Sequence, residues 1–258
     1  MKKLMFAISL AGLLGLGASA AVQSANTFGV LKVESDKKET IVCVPWVAVG
    51  TGSNPISVAD LVMTSNLTVG DTLYYYDNTA KGDAKYKAWE LVEGKTWSSP
   101  KMVTSVGVSE GTEAAAQTAN RGDALILVRQ NPTSGDPAVA TPIYLYGQYT
   151  ATEFTGQTLT LGAWNLIAYP NTSSSPLDLN SLNWQNVGDA DYINLHNAAG
   201  YAITLKRFSD GNTMKWGRKV AGTVRFTDAV VQPGQGAWYV SKATSGANPS
   251  YSVAGSSN

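Results

Sequence analysis

The sequence predicts an all-β protein made of two tandem, diverged copies of one small β-sandwich or barrel-like module. Three observations lead there. Short apolar runs rich in Val, Ile, Leu, Tyr and Trp are separated by clusters of Gly, Pro, Asn and Asp, the punctuation of strands and turns. Helix-period patterning is almost absent; the exception is Glu110 to Ala119, where Glu113-Ala114-Ala115-Ala116-Gln117 reads as a short helix or a surface loop. The same marks also recur in the same order in both halves of the chain.

The chain opens with Lys2 and Lys3, an apolar run from Leu4 to Leu16 and the small-residue triplet Ala18-Ser19-Ala20. This is the order of a secretory signal peptide, expected over residues 1–21. A bilayer-crossing helix needs about 20 apolar residues, and neither this run nor any later one is long enough. The expected mature chain is therefore exported, to the periplasm, the cell surface or the medium, without a membrane span. Loss of the two leader lysines takes the formal charge from 0 to slightly negative. That balance gives no reason to expect nucleic acid or an anionic membrane as a partner. Charged residues make up only 15% of the chain, below the usual quarter, so Ser, Thr, Asn and Gly must supply the solvent-facing positions. Cys43 is the single cysteine. Within Thr40-Ile41-Val42-Cys43-Val44-Pro45 it reads as a small buried hydrophobe, and stability must come from buried area instead of disulfides.

Laid side by side, Thr40 to Pro45 matches Asn165-Leu166-Ile167-Ala168-Tyr169-Pro170, each an apolar strand stopped by proline. Ile56-Ser57-Val58-Ala59-Asp60-Leu61 matches Leu177-Asp178-Leu179-Asn180-Ser181-Leu182, each a brief helical turn with apolar residues tucked inward. Val69-Gly70-Asp71 recurs as Val187-Gly188-Asp189, and each opens a tyrosine-bearing strand. Tyr86, Gly94 and Trp97 match Tyr201, Gly211 and Trp216, a hairpin ending in a tryptophan strand. Arg121-Gly122-Asp123-Ala124 leads into the last core strand of the first copy as Pro233-Gly234-Gln235-Gly236 does in the second. The expected boundaries are 22–149 for the first copy, 150–156 for a polar junction and 157–258 for the second. The tail could add one edge strand through Tyr251 and Val253.

No catalytic or cofactor motif emerges. His196 is the sole histidine, with neither a G-x-S-x-G elbow nor a set of further ligands for zinc. Asp71, Asp77 and Asp83, like Asp189, Asp191 and Asp210, fit no calcium loop; Asp71 and Asp189 are expected to cap turns. No metal, cofactor or catalytic residue is therefore assigned. Arg121-Gly122-Asp123 reads as a turn, and Asn66-Leu67-Thr68 and Asn171-Thr172-Ser173 fit the glycosylation acceptor rule. Seven tryptophans and twelve tyrosines are the candidates for function. Trp97 and Trp216 recur between copies, which argues for buried scaffold positions. In Tyr74-Tyr75-Tyr76 consecutive residues must face both sides of a strand. Tyr74, Tyr76, Trp46, Trp184 and Trp238 form the predicted ligand platform.

In its run of apolar strand and proline (Leu166 to Pro170), Gly188-Asp189, Tyr192, Tyr201, Trp216 and Pro233-Gly234-Gln235-Gly236-Ala237-Trp238, the chain resembles a loosely defined group of exported, internally duplicated β-rich proteins of Gram-negative bacteria of the Verrucomicrobia and Lentisphaerae type. The first copy departs from the pattern, with Arg121-Gly122-Asp123-Ala124 in place of Pro-Gly-x-Gly. The resemblance implies export and fold and carries no active site. The leading expectation is a non-catalytic, envelope-associated or self-assembling protein that acts through contacts with other surface proteins or with copies of itself. The alternatives are a carbohydrate-binding module that uses exposed Trp and Tyr, and a secreted hydrolase with an unrecognised site.

Overall fold

The computed structural model describes residues 28–33, 39–52, 55–78, 86–98, 101–104, 107–110, 118–129, 142–150, 154, 156–170, 175–196 and 202–253. The expected leader (1–21) and the candidate helix at Glu113–Gln117 lie outside them. What is described is predominantly antiparallel β-sheet.

The first half contains β1 (Phe28–Val33), β2 (Glu39–Cys43), β3 (Ile56–Ser57), the single turn of helix α1 (Val58–Leu61), β4 (Val62–Met63), β5 (Thr72–Tyr76), β6 (Tyr86–Val92), β7 (Thr96–Trp97), β8 (Lys101–Thr104), β9 (Gly107–Glu110), β10 (Thr118–Ala119), β11 (Ala124–Val128) and β12 (Ile143–Gln148). The second contains β13 (Gln157–Thr158), β14 (Trp164–Ala168), β15 (Leu177–Asp178), β16 (Leu182–Gln185), β17 (Tyr192–His196), β18 (Ala202–Asp210), β19 (Thr213–Val220), β20 (Thr223–Arg225), β21 (Val230–Val231), β22 (Gly236–Val240) and β23 (Ser250–Val253). In the first half a long sheet runs β2-β11-β5-β6-β8-β9, with β7 also on β6; β1-β12-β4 and β10-β3 are separate short sheets. The second half repeats the scheme as β14-β22-β17-β18-β19-β20, β13-β23-β16 and β15-β21. Pairing thus follows one order twice along the chain.

Register refines the correspondence. Leu91 pairs with Trp97 one step beyond the Thr72–Glu90 pair, and Arg207 pairs with Trp216 one step beyond the Tyr192–Lys206 pair. Trp97 and Trp216 therefore hold the same place, and both are buried. Three expectations shift. Tyr76 pairs with Tyr86 at the point where His196 pairs with Ala202, so Ala202 stands in Tyr86's place and Tyr201 lies outside the described residues. Asp71 precedes β5 as Asp191, not Asp189, precedes β17. The tail strand β23 is central, held between β13 and β16, and is not an edge.

Alternation sorts side chains into three cores. Val42, Leu73, Trp89, Leu91, Leu125 and Leu127 of the first long sheet, with Val44 just beyond β2, share one core with Val33, Val62, Ile143 and Leu145 of the short sheet. Ile167, Ile193, Leu205, Trp216, Ala237 and Tyr239 share another with Leu182 and Tyr251. The third core lies between the halves. It joins Ile41, Cys43, Tyr76, Ala124 and Ile126 from one long sheet to Leu166 and Ala168 from the other. Strands β2, β11 and β14 are thus apolar on both faces, which is why their sequences are unbroken apolar runs instead of alternating ones.

Turns lock the halves together. Cys43 N–H donates to the Gly234 carbonyl at 2.7 Å, and Val42 forms a bridge with Gln235. In return, Gln157 Nε2 donates to the Gly122 carbonyl at 2.7 Å. Gly122 has a φ of +93°, and a Cβ there would lie 2.2 Å from the Phe154 ring. The Arg121-Gly122-Asp123 tripeptide is therefore a tucked turn, with Asn120 N–H donating to the Asp123 carboxylate at 2.7 Å.

Candidate binding surfaces

The seam between the long sheets gathers most of the aromatic residues that the sequence singles out. Tyr74, Tyr75 and Tyr76 alternate as expected: Tyr75 packs against the first core, while Tyr74 and Tyr76 face the seam. Tyr76 is buried, and its hydroxyl donates to the Trp164 carbonyl at 3.0 Å. Beside it, Asn78 Nδ2 donates to the Leu166 carbonyl (3.0 Å) and its Oδ1 accepts from Leu166 N–H (2.8 Å). Trp238 alternates with Ala237 and Tyr239, so it leaves the second core and enters the seam. A chain of edge-to-face rings results: Tyr86–Tyr76 (4.9 Å), Tyr76–Trp238 (5.0 Å), Trp238–Trp164 (5.9 Å) and Trp164–Tyr192 (6.2 Å).

The predicted platform does not assemble as one exposed surface. Trp46 is buried in the first core, where its indole fills the space left by the directly paired Gly29 and Gly147. Trp184 is half-buried in the second core among Trp216, Tyr239 and Tyr251, and its Nε1–H donates to the Leu179 carbonyl at 2.7 Å. Burial of Trp46 and Tyr76 leaves no ring face for a ligand, and Tyr74 and Trp238 are spent on the seam. The exposed tryptophan is Trp164, 47% accessible, which sequence reasoning missed. It is the first residue of its strand, and only the packing of the other half decides that its ring lies outside the seam.

A second surface is the outer face of β1-β12-β4. Phe28, Val30 and Met63 are 48%, 58% and 43% exposed, with half-buried Tyr144 and Tyr146 between them and exposed Lys32 on the same face opposite Tyr144. Phe28 and Tyr146 lie nearly parallel, 6.3 Å apart at 22°. The outward positions of the matching sheet in the second half are polar: Thr158, Asn183, Gln185, Ser250 and Ser252.

The remaining titratable groups serve the scaffold. Asp71 is buried; its carboxylate accepts from Thr68 N–H (2.9 Å) and pairs with Arg129 Nε (2.8 Å). Buried Asp191 accepts from Gly188 N–H (2.8 Å), from Lys242 N–H (2.6 Å) and from the Tyr239 hydroxyl. The turn-capping role expected of Asp189 thus belongs to Asp191, and Asp189 is exposed. Burial, followed by the hydrogen bond to Asp191, pushes the Tyr239 phenol well above its ordinary range. Burial likewise raises Tyr251 and the fully enclosed Cys43 thiol. The backbone of His196 continues β17; its side chain lies outside what is described. Among the described residues, no three His, Cys, Asp or Glu side chains gather as a metal site would require, and no helix is long and apolar enough to cross a membrane. A small, wholly apolar cleft is lined by Ile167, Leu179, Trp184, Ala237 and Tyr251. No protein-family model matches the chain, and neither the curated proteins nor the solved structures include a significant match to it.

Proposed function

We propose that this is an exported, non-catalytic protein built from two diverged copies of one β-sandwich module, and that it works through contacts, as a self-assembling or envelope-associated subunit. The duplication rests on the twice-repeated order of pairings and on the equivalent Trp97 and Trp216. One observation carries the functional reading: the first copy bares Phe28, Val30 and Met63 on a sheet face that the second copy keeps polar. The fold tolerates Asn and Ser on this face, so its packing does not require the apolar side chains of the first copy. An exposed, largely apolar sheet face on a folded protein, here with Lys32 at its edge, marks a contact surface.

The test is sedimentation velocity of the chain from residue 22 over a wide concentration range. The expected result is concentration-dependent association that Val30→Asp and Met63→Lys abolish while leaving the melting temperature in place. A monomer at every concentration would remove the self-assembly reading. Export is checked on protein secreted from the native precursor, whose N-terminus should lie just after Ala20 or Ala21; a secreted form that keeps Lys2 would refute it.

A further inference from the structure

The surface around Trp164 and Tyr192 supports an inference independent of that contact face, because it lies on the other half and on a different sheet. We propose that it binds an acidic saccharide. Cross-strand register places Trp164, Val240, Tyr192 and Lys206 in one row across β14, β22, β17 and β18. Residues paired directly across antiparallel strands point to the same face. Val240 is buried, and Trp164 and Tyr192 flank it with their rings at 88° and 6.2 Å between centroids. The two rings form a corner, not a flat strip. A corner holds one sugar residue, with its C–H face on the indole and its edge on the phenol; a flat strip would serve a run of residues.

The polar groups around the corner set the ligand class. Lys242 Nζ lies over the Tyr192 ring at 5.4 Å, and Lys206 is its cross-strand neighbour. Both lysines are exposed, and neither pairs with a carboxylate among the described residues. In the next row Asn194 accepts from the Thr204 hydroxyl at 2.9 Å, which leaves its amide N–H groups to meet sugar oxygens. The Lys242 ammonium over the Tyr192 ring and Lys206 as its cross-strand neighbour fit a carboxylate on the sugar, through charge-assisted hydrogen bonds. The matching row of the first half reads Glu39, Val128, Thr72 and Glu90. The apolar centre is kept while the aromatic, aromatic and cationic positions become acid, threonine and acid. The scaffold therefore does not dictate the set around Tyr192.

Affinity electrophoresis and isothermal titration with polygalacturonate test the proposal, with dextran as the uncharged saccharide and polyglutamate as the polyanion without sugar. The expected result is retardation by polygalacturonate alone. Trp164→Ala should bind about tenfold more weakly, the scale of one aromatic contact. Lys206→Gln with Lys242→Gln should weaken binding similarly and remove most of its salt dependence. The Trp164 ring is half-exposed but packs edge-to-face on Trp238 and Tyr192, so Trp164→Ala should melt only a few degrees below the parent and stay folded at the assay temperature. Polygalacturonate binding that is absent, that polyglutamate or dextran equals, or that folded Trp164→Ala retains in full would overturn the proposal.

Discussion

At the scale of single residues, the two halves use buried aspartates as hubs, and the hubs can be told from their neighbours by substitution. Asp191 satisfies two backbone N–H groups and the Tyr239 hydroxyl, all removed from bulk water. Asp191→Ala leaves them unpaired and should cost roughly 3 kcal/mol or more, whereas Asp189→Ala at the exposed position should stay within about 0.5. Urea denaturation of both variants compares them directly. Gly29 and Gly147 are constrained by space. A Cβ on Gly147 would lie 2.2 Å from Trp46 Cβ, and one on Gly29 would lie 2.4 Å from the far edge of the indole. Gly147→Ala and Gly29→Ala should each lose about 1–3 kcal/mol by overpacking; Trp46→Leu, which removes the indole edge but keeps the Cβ, should recover part of the Gly29→Ala loss and none of the Gly147→Ala loss. Cys43 and Tyr251 give an alkaline signature. Both are held protonated in the fold, so the unfolded chain releases their protons first, the thiol near pH 8.5 and the phenol near pH 10. Their contribution is complete below those values and is lost as pH rises. The thiol alone should cost about 2 kcal/mol by pH 10, a slope that Cys43→Ala removes from urea midpoints measured across that range.

At the scale of elements, β7 and β19 each close a hairpin and deliver one tryptophan into its core. Both rings are buried, Trp216 at 1% exposure and packed against Trp184 and Tyr239. Trp97→Ala and Trp216→Ala should each cost about 3–5 kcal/mol, read as a clear fall in melting temperature. The Trp216 indole N–H has no hydrogen-bond partner among the described residues, so Trp216→Phe should cost much less than Trp216→Ala. The paired short elements follow the same logic. The Ser57 hydroxyl accepts from Ala59 N–H and the Asp178 carboxylate from Asn180 N–H, so two different residue types cap the same turn. The cap explains why Ile56–Leu61 and Leu177–Leu182 align in sequence although few of their residues are identical.

At the scale of the whole molecule, the third core makes the halves interdependent. Ile41, Ile126, Leu166 and Ala168 would be bare on an isolated half, which gives a cost to separation that neither half's own core offsets. Calorimetry should therefore show one cooperative transition. Leu166→Asp puts an unpaired charge into the seam and should lower that transition as a unit, by about 3–5 kcal/mol, without splitting it. Two separate transitions, with only the second half shifted, would mean that the seam contributes little.

The pairing order of the strands came only from the tertiary structure, while local patterning by itself determined the β class, the inward turns at Val58 and Leu179, and the burial of Trp97, Trp216 and Cys43. These follow from alternation, turn residues and apolar runs, which act over a few residues. The correspondence of the two halves was legible only where a rigid mark sat on it. Pro45 and Pro170 aligned correctly, but Gly-Asp misled by two residues because Asp71 and Asp191 are matched by their hydrogen bonds and not by the glycine before them. The tertiary structure alone decided which aromatic rings reach solvent. Trp46 and Tyr76 are buried by a glycine pair and by a second sheet far away in sequence, while Trp164 is left out by the edge of that contact. Exposure is set by what packs against a side chain, and here the packing partners lie from 17 to 101 residues away, beyond the reach of any local pattern.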